Sequence, residues 1–194
     1  MNANRPGKLV VVSGPSGAGK TSICDELLKR IPNSRWSVSV TTRPMRGHEV
    51  DGEAYRFITR EEFDRMVAQD ELLEHAEYLG HSYGTPRAPI EAAVAAGEIV
   101  ILEIEVQGGA QVAQRVPDSI RVFILPPTMD TLKARLEGRQ TETETLQAKR
   151  LAEADGEIGF AKNSGYYQYF ITNDILQDSV DRVLEIIEQE TRTA

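Results

Sequence analysis

The sequence predicts an α/β protein with a parallel sheet core covered by helices on both faces, a three-layer P-loop fold. Three observations favour this class: short apolar runs, helical patterns between them, and a glycine-rich phosphate-binding motif directly after the first run. The runs are nearly continuous and rich in β-branched residues, which is typical of strands buried on both faces. They are "LVVV" (9–12), "IVILEI" (99–104), "IRVFIL" (120–125) and "YFIT" (169–172).

Helical patterns lie between and after these runs. "KTSICDELLKR" (20–30) follows the first strand, and "MDTLKARLEG" (129–138) follows the third. The segment "SVDRVLEIIEQE" (179–190) places apolar residues at i, i+3, i+4 and i+7, the spacing of one buried helix face. Helices and strands therefore alternate along the chain, as in a doubly covered parallel sheet.

Two regions interrupt this alternation. Residues 35–89 contain short mixed segments and turn signals, which predict an inserted small lobe, and within it "REEFDRMVAQDELLE" has a helical pattern through Phe63, Met66 and Val67. Residues 137–150 are polar and short of apolar anchors, which predicts a mobile flap. One domain, 1–194, is expected, with its core formed by residues 1–34, 90–136 and 151–194.

Composition limits the possible partners. The chain has 194 residues and a formal net charge of −8, and its pI near 5.0 argues against binding nucleic acid or an anionic membrane over a broad face. A lone Cys24 excludes an intrachain disulfide, and the apolar run before Ser13 is too short for a signal or a membrane span. We expect a cytoplasmic protein and infer no obligate protein partner.

The segment "GPSGAGKT" matches G-x-x-x-x-G-K-[ST] between an apolar strand and a helical pattern, the context that this motif requires. Its glycines let backbone N–H groups turn toward phosphate oxygens, Lys20 adds a charge at the β- and γ-phosphates, and Thr21 can ligate Mg²⁺. A nucleoside triphosphate, with ATP expected, is the predicted ligand. The predicted ATP-binding residues are Gly14, Pro15, Ser16, Gly17, Ala18, Gly19, Lys20, Thr21 and Ser22.

Two acids follow the second apolar run. P-loop sites usually take a second acid from a neighbouring strand for the magnesium shell, and Glu103 and Glu105 lie two apart at the end of "IVILEIE". That spacing puts them on one face of a strand. The alternative for each is that it caps the strand or pairs with an arginine.

A second anion site is indicated by "TTRPMRG". Arg43 and Arg46 flank Pro44, which restricts the loop, and the planar fork of arginine can grip phosphate oxygens bidentately. The alternative is that both arginines are simply solvated.

Beyond these separate motifs, the chain resembles the guanylate kinase family in unbroken order over about residues 8–190. The matching pieces include "SGPSGAGKTS", "SVSVTTRPMRGHEVDGEAYRF", "ELLEHAEYLGHSYGTP", "ILEIEVQGG", "FILPPTMDTLKARLEGRQTETE" and "ITND". The resemblance implies ATP-dependent phosphorylation of GMP to GDP with Mg²⁺, in purine nucleotide metabolism and GMP recycling, with dGMP as a further acceptor.

The resemblance also assigns roles in the lobe at 35–89, which it makes the GMP-binding lobe. Arg43, Arg46, Tyr55 and Tyr83 would hold the GMP phosphate. Glu74, assisted by Ser39 and Thr85, would read guanine, whose N1–H and N2 amino donors suit a carboxylate. The family more commonly shows "LDID" where this chain has "LEIE", which leaves open whether Glu103 or Glu105 serves magnesium-bound water or GMP.

The flap at 137–150 becomes a lid by the same resemblance. Arg135, Arg139 and Arg150 would close over ATP and, with Lys20 and Arg43, form the implied catalytic set. Asn173 is a family landmark near the nucleotide without an assigned role. Two rivals are a P-loop kinase acting on a sugar bisphosphate and a guanylate-kinase-like scaffold domain that binds phosphopeptides. The intact P-loop favours an enzyme, and Glu74 with Ser39 and Thr85 favours a base as acceptor.

Overall fold

The four apolar runs form four of the five strands of one parallel sheet. The computed structural model describes residues 7–47, 49–78, 80–138 and 144–192, the side chains of 144–148 excepted. The sheet has the order β2-β7-β1-β8-β9, and every neighbouring pair in it is parallel. Its strands are β1 (Lys8–Ser13), β2 (Ser34–Trp36), β7 (Ile99–Glu103), β8 (Ile120–Leu125) and β9 (Tyr169–Thr172).

Helices cover both faces of this sheet, which confirms the predicted class. Val10 and Val12 face a core built with α1 (Lys20–Arg30) and α7 (Leu176–Arg192). Leu9 and Val11 face the opposite core, built with α3 (Arg87–Ala95) and α4 (Val106–Arg115). Because successive side chains of a strand point to opposite faces, both sets of positions must be apolar, which explains the unbroken apolar runs.

A second sheet of four strands lies between β2 and α3 in the chain. Its order is β4-β3-β6-β5, with β3 (Ser39–Thr41), β4 (Tyr55–Phe57), β5 (Leu72–Tyr78) and β6 (His81–Pro86). Helix α2 (Arg60–Ala68) packs Phe63 and Met66 against Val40 and Leu72. This unit lies in the region assigned to the small lobe, although β2, which includes Arg35 and Trp36, pairs with β7 in the core sheet.

The helical pattern "REEFDRMVAQDELLE" extends further than the helix it predicted. Helix α2 ends at Ala68, Asp70 takes a positive φ of 53°, and the chain then enters β5. A left-handed residue cannot continue a right-handed helix, and the Asp70 carboxylate accepts from Arg87 and Arg115, which stabilises the turn. The prediction of helix beyond Ala68 is therefore wrong.

Helix α5 (Met129–Glu137) confirms the pattern at 129–138, and α6 (Glu144–Ser164) begins within the segment predicted as a flap. Residues 139–143 of that segment lie outside the described residues. Among the helices that the structure describes, none combines the length and apolar character needed to span a membrane.

Candidate active site

The glycine-rich loop connects the end of the central strand β1 to the start of α1. It lies at the carboxyl edge of the parallel sheet, where open α/β sheets bind their ligands. Gly19 is the N-cap of α1 and has a φ of 94°, and a Cβ there would collide with the Asn173 side chain. Only glycine therefore fits this position, where the unpaired N–H groups of the helix begin.

Asn173 is a brace for this loop, a role that the sequence alone did not assign. Its residue is only 5% exposed, and its Nδ2 donates to the Ala18 carbonyl at 2.8 Å. Its Oδ1 accepts from the Ser179 hydroxyl at 3.1 Å, and its backbone N donates to Leu125 at 2.8 Å. Asn173 thus connects the P-loop to β8 and to α7. These contacts hold the loop backbone in place, and they join segments that are far apart in the chain.

Lys20 and Thr21 open α1 with their side chains at the loop. The Lys20 ammonium donates to the carbonyls of Gly14 and Pro15, at 2.7 and 3.1 Å, so that it lies along the loop. The Thr21 hydroxyl donates to the Glu103 carboxylate at 3.1 Å. A hydroxyl and a carboxylate held together in this way are a pair of hard oxygen ligands, which suits Mg²⁺.

Glu105 has a different position from the one predicted. Strand β7 ends at Glu103, and Glu105 is the N-cap of α4, where its carboxylate accepts from the backbone N–H groups of Gln107 and Gly108. The argument that Glu103 and Glu105 share a strand face is therefore wrong, because the strand has ended before Glu105. One alternative for Glu105 was that it caps a strand. Glu105 does have a capping role, but it caps the start of helix α4.

The small sheet gathers polar side chains on one face. Ser39 pairs with Tyr55, Thr41 with Tyr83 and Glu74 with Thr85, and partners in register lie on the same face. Phe63 and Met66 pack on the opposite face. The rings of Tyr55 and Tyr83 are 6.0 Å apart at 71°.

Glu74 is the buried acid of this face, with 4% exposure. It accepts from the Thr85 hydroxyl at 2.5 Å, and the Thr85 and Ser39 hydroxyls are 3.5 Å apart. Burial raises the pKa of Glu74 to about 7, the Thr85 hydrogen bond opposes that rise, and the nearby Glu105 charge adds to it. A buried carboxyl that is half ionised near neutral pH is a strong candidate for ligand recognition.

Helix α4 holds Glu74 in place against the core. A Cβ at Gly108 would lie 2.7 Å from Glu74 Oε2, so any larger residue there would displace the Glu74 carboxylate. Gln111 bonds both backbone groups of His75, accepting from its N at 3.1 Å and donating to its O at 2.9 Å. The register of β5 also shifts between Leu72 and Glu74, which sets Glu74 opposite Thr85.

Arg43 forms a bidentate ion pair with Glu49, a residue to which the sequence analysis assigned no role. The two terminal nitrogens of Arg43 donate to the Glu49 carboxylate at 2.9 and 2.8 Å, and the Arg46 backbone N donates to it at 2.7 Å. The Arg43 hydrogen bonds, followed by that of the Arg46 backbone, hold the pKa of Glu49 down at about 2. The Arg43 guanidinium also lies 5.6 Å from the Tyr55 ring centroid.

The structure describes two of the three arginines that were assigned to the lid. Arg135 donates to the Asn173 carbonyl at 3.0 Å, and Arg150 donates to the Ser16 hydroxyl, so both lie beside the P-loop. Arg139 lies outside the described residues. Arg46, the remaining predicted phosphate ligand among the arginines, is exposed, and its backbone N bonds Glu49.

Glu157 on α6 is a further acid that the sequence did not indicate. Burial raises its pKa to about 7, the charge of Lys20 opposes the rise, and the charges of Glu105 and Glu153 add to it. Its charge interaction with Lys20 joins α6 to the start of α1, and no local motif in the sequence signals that interaction. Within the described residues there is no group of three or more His, Cys, Asp or Glu that could hold a metal ion by itself.

Fold and site together define a P-loop protein that binds nucleotides. The glycine-rich loop lies at the carboxyl edge of a parallel sheet, Lys20 and Thr21 open the following helix, and Glu103 lies beside Thr21.

Comparisons with known proteins give the family. The guanylate kinase family model matches residues 6–190. A guanylate kinase of Desulfitobacterium hafniense is 47% identical over 93% of this chain and 89% of its own length. One from Synechocystis sp. is 45% identical over 95% of both chains. The crystal structure of guanylate kinase from Anaplasma phagocytophilum is 32% identical, with a TM-score of 0.77 over 98% of this chain and 88% of that one. The chain belongs to the guanylate kinase family, whose members are kinases that use ATP.

Proposed function

We propose that this protein transfers the γ-phosphoryl group of ATP to GMP, giving ADP and GDP. The observation that carries the proposal is the polar face of the small sheet, where buried Glu74 lies with Thr85 and Ser39 and where the Arg43 guanidinium lies over the Tyr55 ring. Such a site offers a carboxylate to a base and a guanidinium to a phosphate. Family membership and the P-loop supply the second half of the proposal, an ATP site.

Guanine is the base that this carboxylate selects. The N1–H and N2 amino groups of guanine form a donor pair that an ionised Glu74 accepts, whereas adenine would leave the buried carboxylate without that pair. An unpaired buried charge is costly, so the site rejects adenine more strongly than a merely apolar pocket would. The ribose 2′-OH has no assigned partner in this scheme, and we propose dGMP as a further acceptor.

The phosphate of GMP would bind at Arg43, with Arg46, Tyr55 and Tyr83 around it. The Glu49 carboxylate accepts from both terminal nitrogens of Arg43, and the Pro44 carbonyl accepts from one of them as well. The phosphate would bind the N–H groups of the guanidinium that these partners do not use. Glu49 is thus a positioning residue, since it holds both the Arg43 side chain and the Arg46 backbone. A pre-oriented guanidinium loses less side-chain entropy when phosphate binds.

The transfer needs no general base. The second pKa of a phosphate monoester is about 6, so the attacking GMP oxygen is mostly ionised at neutral pH. That oxygen forms a new bond to the γ-phosphorus as the bond to the bridging oxygen of ADP breaks. Lys20 and the arginines of α5 and α6 would neutralise the charge between the two anions, and closure of the small lobe over the core would exclude water.

The oxygen ligands at the P-loop fit Mg²⁺. Thr21 and Glu103 would hold the ion, since the Glu105 carboxylate is already committed to capping α4. Magnesium usually keeps several waters and takes only one or two protein ligands, with phosphates completing its shell. When bound with ATP, the ion neutralises charge on the β- and γ-phosphates.

The test is a coupled assay of ADP release from Mg·ATP with GMP, dGMP, AMP, UMP, CMP and no acceptor side by side. We expect turnover with GMP well above that with AMP, UMP or CMP. A folded, ATP-binding protein that no nucleoside monophosphate stimulates would contradict the proposal, and sugar phosphates and phosphopeptides would then be tried. With a single cysteine and nucleotide substrates, we propose the cytoplasm as its compartment and purine nucleotide recycling as its role.

A further inference from the structure

One edge of the small sheet is covered by a helix of the core. Strand β5 stands at the end of the order β4-β3-β6-β5, so among the strands that the structure describes only β6 pairs with it. Helix α4 lies along the other edge of β5. The same helix packs on the core sheet, where Val112 shares an apolar cluster with Leu9 and Val11. Helix α4 therefore joins the small sheet to the core at β5.

Gln111 of α4 bonds the outer edge of β5 with its side-chain amide. Its Oε1 accepts from the His75 backbone N at 3.1 Å, and its Nε2 donates to the His75 carbonyl at 2.9 Å. A residue of a neighbouring antiparallel strand would exchange the same two hydrogen bonds with His75. The amide of Gln111 thus takes the place of one residue of a further strand, and it fixes the backbone directly beside Glu74.

Two more residues of α4 contact β5 and the turn before it. Arg115 donates to the Leu72 carbonyl at 2.6 Å and to the Asp70 carboxylate at 2.8 Å. Gly108 lies against the Glu74 carboxylate, since a Cβ there would be 2.7 Å from Glu74 Oε2. These two residues and Gln111 are spaced by three and four positions, which puts them on one face of the helix. Helix α4 is therefore bonded to the β5 edge both before and after Glu74.

These contacts bear on the geometry with which Glu74 can meet a base. On the β6 side, Glu74 pairs with Thr85, whose hydroxyl donates to its carboxylate at 2.5 Å. A carboxylate accepts two neighbouring donors at once only when both oxygens lie within hydrogen-bond distance of them. A shift of about 1 Å is enough to lose one of the two bonds. The attachment of β5 to α4 therefore controls whether both oxygens of Glu74 can be used.

We propose that Gln111 is a positioning residue for base selection, which holds β5 so that both oxygens of Glu74 meet the N1–H and N2 amino donors of guanine. The inference rests on the proposed transfer to GMP. Gln111 acts through the backbone of β5, so it sets the preference for guanine without touching the base. Inosine monophosphate (IMP) is the critical probe, because its base keeps N1–H and lacks the N2 amino group and so uses only one of the two oxygens.

The experiment compares kcat/KM for GMP with kcat/KM for IMP in the full native chain and in Gln111→Met. Methionine has a similar length and makes neither amide hydrogen bond. We expect the ratio of GMP to IMP to fall about tenfold in Gln111→Met, within the discrimination that one two-bond contact to a base provides, while KM for ATP stays unchanged. Gln114→Met is the matched control on the same helix, where the amide donates to the Tyr166 hydroxyl at 3.0 Å, and it should keep the native ratio.

A double substitution tests whether Gln111 acts through Glu74. Glu74→Gln combined with Gln111→Met should have the same ratio of GMP to IMP as Glu74→Gln alone, because both changes remove the same discrimination. Hydrogen exchange followed by NMR checks the contact without substrate, since the His75 amide should exchange faster in Gln111→Met than in the native chain. The ratio compares two substrates on one folded protein, so a general loss of stability would not imitate it.

Three outcomes would overturn this inference. The first is a native ratio of GMP to IMP in Gln111→Met, whatever the exchange rate of the His75 amide. The second is an equal fall in Gln114→Met, which would assign the effect to α4 as a whole. The third is a further fall when Gln111→Met is added to Glu74→Gln, which would show a route other than Glu74. Failure of the proposed function would look different, because the native chain itself would then release no ADP with GMP.

Discussion

The proposed contact of Glu74 with guanine predicts that the affinity for GMP rises with pH. The pKa of Glu74 is raised to about 7 by burial, and in the proposed site it is the ionised form that would accept from guanine. About one Glu74 in eleven is ionised at pH 6 and about ten in eleven at pH 8. If bound guanine keeps the carboxylate ionised, the affinity for GMP should rise about tenfold over these two pH units.

Isothermal titration calorimetry measures this linkage directly. GMP is titrated into the ATP-free protein at pH 6, 7 and 8, at each pH in two buffers of different ionisation enthalpy. At pH 7 about half a proton should be released from Glu74 for each GMP bound. The GMP phosphate, with a second pKa of about 6, contributes about a further twofold between pH 6 and pH 8.

Glu74→Gln separates the two contributions. The variant should keep only the roughly twofold phosphate effect and should lose preference for GMP over AMP, since the amide presents one acceptor oxygen instead of two. Native-like pH dependence in Glu74→Gln would show that another group, such as Glu157, carries the linkage. That result would refute the role of Glu74.

Three further substitutions test individual contacts, each against a matched control. Lys20→Ala should lower kcat by orders of magnitude without unfolding the chain. The control Lys29→Ala, at an exposed lysine of the same helix, should leave kcat unchanged. An unchanged kcat in Lys20→Ala would show that Lys20 has no part in the mechanism. Glu49→Gln should raise KM for GMP severalfold and leave KM for ATP unchanged, because Glu49 holds the Arg43 side chain. The control Glu53→Gln, in the same loop, should leave both KM values unchanged. A rise in KM for ATP alone would contradict the positioning role of Glu49. Asn173→Ala should lower the free energy of unfolding by about 1–3 kcal/mol in denaturant titrations, because the buried Ala18 carbonyl and Ser179 hydroxyl each lose their Asn173 partner. The control Asn163→Ala, at an exposed position, should lower it little. Equal losses in the two variants would count against the bracing role of Asn173.

The fold class and the P-loop could be predicted because their signals are local. Burial on both faces makes a strand apolar at every position, so the runs at 9–12 and 120–125 indicated β1 and β8 directly. The helix predicted over 20–30 has the same bounds as α1, because the motif itself fixes where the helix begins. The pattern at 60–74 was less informative, since a left-handed Asp70 ends α2 where apolar spacing alone continues.

Only the tertiary structure decided how the site residues are used. Glu103 and Glu105 look equivalent in sequence, yet one contacts Thr21 and the other caps α4, because β7 ends between them. Residues also become partners across long stretches of chain: Asn173 and Ala18 are 155 positions apart. The sequence by itself determined that a phosphate-binding α/β protein would form, because the conformation of the glycine-rich loop and the burial of each strand depend mainly on residues that are close together in the chain. The ionisation of Glu74 and the bracing of the loop were decided by packing, because burial and hydrogen bonding depend on which distant elements come together.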